Sequence, residues 1–223
     1  MNKKAARKAY LVLVRHALSE DNVQRIVPGK GDPQLTELGK EQARQAGAVL
    51  RGIQFDAAYS SDTMRAKQTL EELLKTLGTD IPVTTSSALD ERNWGDIAGK
   101  YSDNRESEYT QEEIDSWFTW DIRPPGGESY ADIAKRLVGY FEREILPRLK
   151  KGEDILVVGH NGALKTIRRH LENIPYGDTH TLGMENAEVR VYEIGSEGQV
   201  LAHYKLFSPY DAGRRAANQK VGG

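Results

Sequence analysis

The sequence predicts an α/β fold: a three-layer α/β/α sandwich around a mainly parallel central sheet. Two short apolar runs, Tyr10 to Val14 and Asp154 to Gly159, are continuous rather than alternating, as strands buried on both faces are. Helical periodicity fills the stretches between strands, and strands that alternate with helices wind into a parallel sheet covered on both sides. Each run stops at a histidine, His16 or His160, at the carboxyl end of a strand, where such sheets bind ligands.

Tyr10 to Val14 ends abruptly in Arg15-His16. Thr36 is placed to cap a helix with apolar positions Leu38, Ala43, Ala46 and Leu50, although Gly39 weakens its first turn. Phe55 to Ser60 reads as a second strand, Asp62 to Leu77 as a helix, and Ile81 to Thr85 as a third, weaker strand. From Trp94 to Pro125 the alternation is lost, and this polar, aromatic stretch, with a short helix near Gln111 to Trp120, reads as an insertion. Ser129 then caps a long helix carrying Ile133, Leu137, Tyr140, Phe141 and Ile145 on one face, which should end before Pro147. After the Asp154 to Gly159 strand, Gly162 to Leu171 is helical. Val189 to Ile194 and Val200 to Leu206, separated by Gly195 and Gly198, close the pattern as a β-hairpin.

The expected organisation is one domain over residues 10–210 with an insertion at about 94–125. A disordered basic N-terminus, residues 1–9, precedes it, and a flexible tail, residues 211–223, follows. Thirty-one Lys+Arg against 33 Asp+Glu leave a net charge of -2, too small a field to gather nucleic acid or membrane, so any anion site must be local. The absence of cysteine excludes disulfides, thiolate metal sites and cysteine nucleophiles. No apolar run is long enough for a signal peptide or a transmembrane helix, which sets the expectation of a cytoplasmic protein.

Arg15-His16 joins a permanent cation to an imidazole at a strand end. The guanidinium favours neutral imidazole and grips phosphate in a fork. Ser19 and Asn22 follow within reach. Arg65 lies in the first turns of a helix after a strand, where backbone N–H groups also favour anions. His160, in Val158-Gly159-His160-Asn161-Gly162, repeats the placement of His16, and Gly162 permits close backbone approach. Glu91, in Leu89-Asp90-Glu91-Arg92-Asn93-Trp94-Gly95, is a candidate general acid. Each alone has an ordinary reading, as a salt bridge, a solvated helix face or a satisfied polar residue; their combination does not. Arg168, Arg169 and His170 read as surface cations complementing a helix dipole.

Six segments occur in the order found in the phosphoglycerate mutase-like branch of the histidine phosphatases. They are Arg15-His16-Ala17-Leu18-Ser19-Glu20-Asp21-Asn22, Leu35-Thr36-Glu37-Leu38-Gly39 with Gln42-Ala43, Arg65-Ala66 with Thr69, Leu89-Asp90-Glu91-Arg92, Gly126-Gly127-Glu128-Ser129 and Val158-Gly159-His160-Asn161-Gly162. The chain resembles that family over roughly residues 10–194. The resemblance implies a phosphoglycerate mutase-like fold and a metal-independent enzyme in which His16 becomes a phosphohistidine. Arg15, Arg65, His160 and Asn22 would hold the phosphoryl oxygens, and Glu91 would act as acid and then base. Ser19, Asn161, Arg92 and Trp94 complete the expected phosphate and substrate contacts.

Two departures stand out. The family's usual glycine after the first histidine is Ala17. Where the mutases carry an adjacent arginine pair for the second acidic group of their substrate, this chain has Trp117-Phe118-Thr119-Trp120, with Arg123, Arg105 or Lys100 as a replacement for part of that grip and Glu144-Ile145-Leu146-Pro147 as a segment that resembles the mutases. The aromatic residues suit either a wall over the phosphate pocket or the insertion's own core. The expectation is therefore a phosphatase acting on a small phosphorylated metabolite without metal or cofactor. The alternative is a phosphoglycerate mutase needing 2,3-bisphosphoglycerate, and a non-catalytic phospho-ligand binder is a third reading. Neither nucleic acid nor membrane is an expected partner. The oligomeric state is left open, with a dimer as the first option.

Overall fold

The computed structural model describes residues 8–27, 31–100 and 108–211. Strand β1 (Ala9–Arg15) is followed by helices α1 (Glu20–Gln24) and α2 (Glu37–Val49), strand β2 (Ala57–Ser60), helix α3 (Met64–Leu77) and strand β3 (Val83–Thr85). Helix α4 (Gln111–Ser116) lies in the insertion. Then come α5 (Tyr130–Tyr140), α6 (Leu146–Lys150), β4 (Ile155–Gly159), α7 (Asn161–Glu172) and the strands β5 (Val189–Ile194) and β6 (Val200–Phe207). The six strands form one sheet in the order β3-β2-β4-β1-β5-β6. Strands β1 to β4 pair in parallel, and the hairpin β5–β6 adds antiparallel to β1.

Alternation along the central strands divides the core into two layers. Leu11, Leu13, Tyr59, Ile155 and Val157 face α5, α6 and α7, whose Ile133, Leu137, Leu149, Leu164 and Ile167 cover that side. Val12, Val14, Ala58, Leu156 and Val158 face α2 and α3, covered by Ala43, Ala46, Leu50, Leu70 and Leu73. A sheet buried on both faces explains why β1 and β4 read as unbroken apolar runs.

Three expectations change. Ala9, placed by the sequence reading in a disordered stretch, is fully buried at the start of β1; residues 1–7 and the tail from 212 lie outside the described residues. Gly39 has a packing role in the first turn of α2. A Cβ there would stand 2.1 Å from the Leu18 carbonyl oxygen, so glycine lets the helix meet the loop after β1. Pro147 does not end the long helix. Proline lacks an N–H and crowds the carbonyl four residues back, and the chain admits it by widening into a π turn over Phe141–Ile145, after which α6 continues.

Among the described residues no helix is long and apolar enough to cross a membrane.

Candidate active site

Register sets the site. Arg15 pairs with Gly159, and Ser60 pairs with Val158, so β1, β4 and β2 finish side by side. The next residues, His16, His160 and Ser61, emerge together. The His16 N–H donates to the Gly159 carbonyl at 2.8 Å, and the two imidazole centroids are 5.1 Å apart at an interplanar angle of 55°. Both rings are buried. His16 Nδ1 lies 2.8 Å from the Ala17 carbonyl oxygen. A carbonyl only accepts, so Nδ1 carries the proton and Nε2 keeps the lone pair. Burial, then the Arg15 and Arg65 charges, hold the His16 imidazolium well below the usual histidine range, so the ring is neutral.

His160 is depressed in the same way, by burial first and then by the neighbouring His16 imidazole and the Arg65 and Arg15 charges. Its Nε2 lies 2.7 Å from Ser61 Oγ, while Nδ1 is buried without a partner among the described residues. Arg15 Nη1 donates to the Met184 carbonyl at 2.7 Å, and its buried Nε likewise has no partner among the described residues. Arg65 is 4% exposed. Burial lowers both guanidinium pKa values, with Glu91 the largest opposing influence on each, and arginine stays charged under such shifts.

Glu91 reaches the start of α7. One carboxylate oxygen accepts from the Gly162 N–H at 3.0 Å, and the other accepts from the Ala163 and Arg92 N–H groups at 3.0 and 2.8 Å. Gly162 makes this approach possible: a Cβ would lie 2.4 Å from a Glu91 oxygen. The acid, both imidazoles and both guanidiniums thus converge, directly or through shared partners, around the ends of β1, β2 and β4.

A profile of the histidine phosphatase superfamily (branch 1) matches residues 11–206. The chain belongs to the histidine phosphatase superfamily. It is 39% identical over 195 residues, 86% of this chain and 93% of the relative, to a 2,3-bisphosphoglycerate-dependent phosphoglycerate mutase of Parvibaculum lavamentivorans. A solved mycobacterial glucosyl-3-phosphoglycerate phosphatase, in complex with VO3, superposes with a TM-score of 0.71 at 28% identity, covering 82% of this chain and 92% of its own. An alpha-ribazole phosphatase from Shigella flexneri shares the fold alone, with a TM-score of 0.75 at 23% identity over 86% of this chain and 94% of its own. The superfamily contains phosphatases and phosphoglycerate mutases, and this chain is an enzyme of that class.

Several residues expected to touch substrate also have hydrogen-bond partners that hold the site together. Ser19 is fully buried, and its N–H and hydroxyl both donate to Asn22 Oδ1, which also accepts from Asn186 Nδ2 at 3.0 Å. With its oxygen so occupied, the Asn22 amide nitrogen is the end left for an anion. Asn161 Oδ1 accepts the Met184 N–H at 2.9 Å, fixing the segment whose carbonyl holds Arg15. Arg92 is 2% exposed and donates to the Glu128, Trp117 and Ile122 carbonyls, so it clamps the insertion.

The aromatic residues divide. Trp94 packs on Phe118 at 5.2 Å and under Arg92. Trp117 is buried and meets Tyr109 edge-on, while Trp120 packs on Tyr176. Arg123 forms a bidentate pair with Asp132, which removes it as a replacement grip, and Arg105 lies outside the described residues. Arg168, expected on the surface, is buried and donates to the Leu182 carbonyl at 2.6 Å.

Ala17 fits its position. It is absent from the described non-glycine residues at positive φ, and its N–H donates to Thr69 Oγ1. Sequence reasoning missed Ser61 and Asn186. Ser61 had a signal, since it follows a strand end as His16 does; Asn186 had none outside the fold.

Proposed function

We propose that this enzyme hydrolyses a small organic phosphate monoester through a phosphohistidine on His16. The observation that carries the reading is the neutral, buried His16 ring, its Nδ1–H fixed on the Ala17 carbonyl, 5.1 Å from His160 and under the charges of Arg15 and the buried Arg65. His16 Nε2 attacks phosphorus in line and forms the P–N bond as the P–O bond to the leaving alcohol breaks. Arg15, Arg65, His160 and the Asn22 amide hold the three peripheral oxygens and stabilise charge in the transition state. Glu91 acts as the general acid that passes a proton to the departing alkoxide. Its carboxylate then takes a proton from water as water attacks phosphorus and the P–N bond breaks, which restores the neutral imidazole. Ser19, Asn161, Arg92 and Asn186 act through these groups as positioning residues.

The second reading, a 2,3-bisphosphoglycerate-dependent phosphoglycerate mutase, is favoured by the 39% identity to such an enzyme. Against it stands Trp117-Phe118-Thr119-Trp120 where the resemblance calls for an adjacent arginine pair, with Arg123 already bound to Asp132. The test is a panel of phosphorylated metabolites scored for phosphate release and, with 3-phosphoglycerate, for isomerisation with and without 2,3-bisphosphoglycerate. Phosphate release exceeding isomerisation supports the phosphatase; isomerisation far outpacing release overturns it. His16→Ala should remove turnover and the acid-labile, alkali-stable phosphoprotein while leaving the circular dichroism unchanged. Retained activity would refute the nucleophile.

A further inference from the structure

The stretch that carries Glu91 has little regular structure of its own. Ser87–Leu89 forms a single 3₁₀ turn, and residues 90–94 follow as irregular chain. The last carbonyls of a short helical turn have no partner within it. Arg136, on α5, meets them. Its Nη1 donates to the Ser87, Ala88 and Asp90 carbonyls at 3.1, 2.9 and 3.2 Å, and its Nη2 stands 3.5 Å from the Glu91 carbonyl. A guanidinium suits this place, because its fork of N–H groups serves several acceptors at once and keeps its charge.

Glu128 braces that guanidinium and reaches the other side of the acid. Arg136 Nη2 and Nε donate to its two carboxylate oxygens at 3.0 and 3.2 Å. The first of these oxygens also accepts the Asn93 N–H at 3.0 Å, and the Glu128 N–H donates to the Asn93 carbonyl at 2.8 Å. One forked ion pair therefore fixes the backbone at Asp90 and at Asn93, on both sides of Glu91, while the start of α7 holds the Glu91 carboxylate. The two side chains are 26% and 27% exposed, and ion pairs open to water contribute little to stability. The hydrogen bonds of Arg136 nevertheless end either on Glu128 or within residues 87–91.

We infer that Arg136, braced by Glu128, is the positioning residue for the proton donor, setting through the backbone of residues 87–91 where Glu91 stands relative to the leaving oxygen. The role rests on the reading of Glu91 as general acid. A proton donor works only within hydrogen-bond reach of the atom it serves, and a displacement of about 1 Å costs on the order of a hundredfold. The consequence is selective. An alkoxide must receive a proton as it departs, whereas 4-nitrophenolate is stable enough to depart without one, so a misplaced acid slows alkyl esters far more than that aryl ester.

The test compares glycerol 3-phosphate with 4-nitrophenyl phosphate by kcat/KM, which reports formation of the phosphoenzyme and leaves out the later attack of water. In Arg136→Met the loss for glycerol 3-phosphate should be at least about tenfold larger than the loss for 4-nitrophenyl phosphate. Arg136→Lys, which keeps the charge but not the fork, should recover part of the difference, and Glu91→Gln should show the same imbalance more strongly. Circular dichroism and inorganic phosphate binding report whether each variant folds with its anion site intact. Should Arg136→Met fail there, Glu128→Gln, which keeps the guanidinium and loosens its brace, takes its place with the same imbalance expected. Equal losses for the two esters, or none, while Glu91→Gln keeps its imbalance, would reduce the ion pair to a structural tie and overturn the role of Arg136. Equal losses in Glu91→Gln itself fail the general-acid reading instead, so the two failures are distinguishable.

Discussion

His16 and His160 show how burial keeps an imidazole neutral and sets a pH limit on stability. Both are held well below the usual histidine value of 6.5 in the folded chain. Below about 6.5 the unfolded chain therefore binds protons that the folded chain refuses. The resulting stability is fully present above that pH and is lost as pH falls, by roughly 1.4 kcal/mol per group for each unit until the folded pKa is reached. Urea midpoints between pH 7.5 and 5.5 should fall accordingly, and the slope should shrink when His160 is replaced by Gln. A midpoint that is flat or rises on acidification would contradict the neutral assignment. At these positions the sequence displayed residue type and strand end, but not tautomer: that came from the Ala17 carbonyl 2.8 Å from His16 Nδ1.

The insertion and the π turn illustrate what local patterns hide. Its loss of alternation marked residues 94–125 as an insertion, yet Arg92, outside it, ties its Trp117 and Ile122 carbonyls and Trp94 ring to Glu128 and Tyr130 beyond it. Arg92→Met should cost about 2–3 kcal/mol, because ionic hydrogen bonds to carbonyls left buried and unpaired are lost. Limited proteolysis should then cut first between residues 108 and 125. Unaltered proteolysis and midpoint would show that the clamp carries no weight. The helix over Tyr130–Lys150 was legible from its apolar face and the Ser129 cap, whereas its passage through Pro147 was not. A proline's rule is local, and its exception depends on a turn that packs Phe141 and Ile145 into the core.

Across the chain, a net charge of -2 coexists with a hollow containing two guanidiniums, so anion binding is a property of the pocket rather than of the surface. Orthovanadate, which adopts the five-coordinate geometry of phosphoryl transfer, should raise the melting temperature by roughly 5–10 °C at one hundred times its Kd. Arg65→Met should abolish most of that shift; an equal shift in the variant would remove Arg65 from the site. The parallel order and both buried strands were readable because periodicity is a local signal, while Asn186 acquires meaning only when segments 16–22 and 161–186 meet. That meeting has a consequence for biosynthesis. Strand β1 is flanked by β4 and β5, both from the last third of the chain, and the loop after it is tied down by Asn186. A nascent polypeptide displays the His16 imidazole early, but cannot assemble the cradle around it until some 170 further residues have left the ribosome.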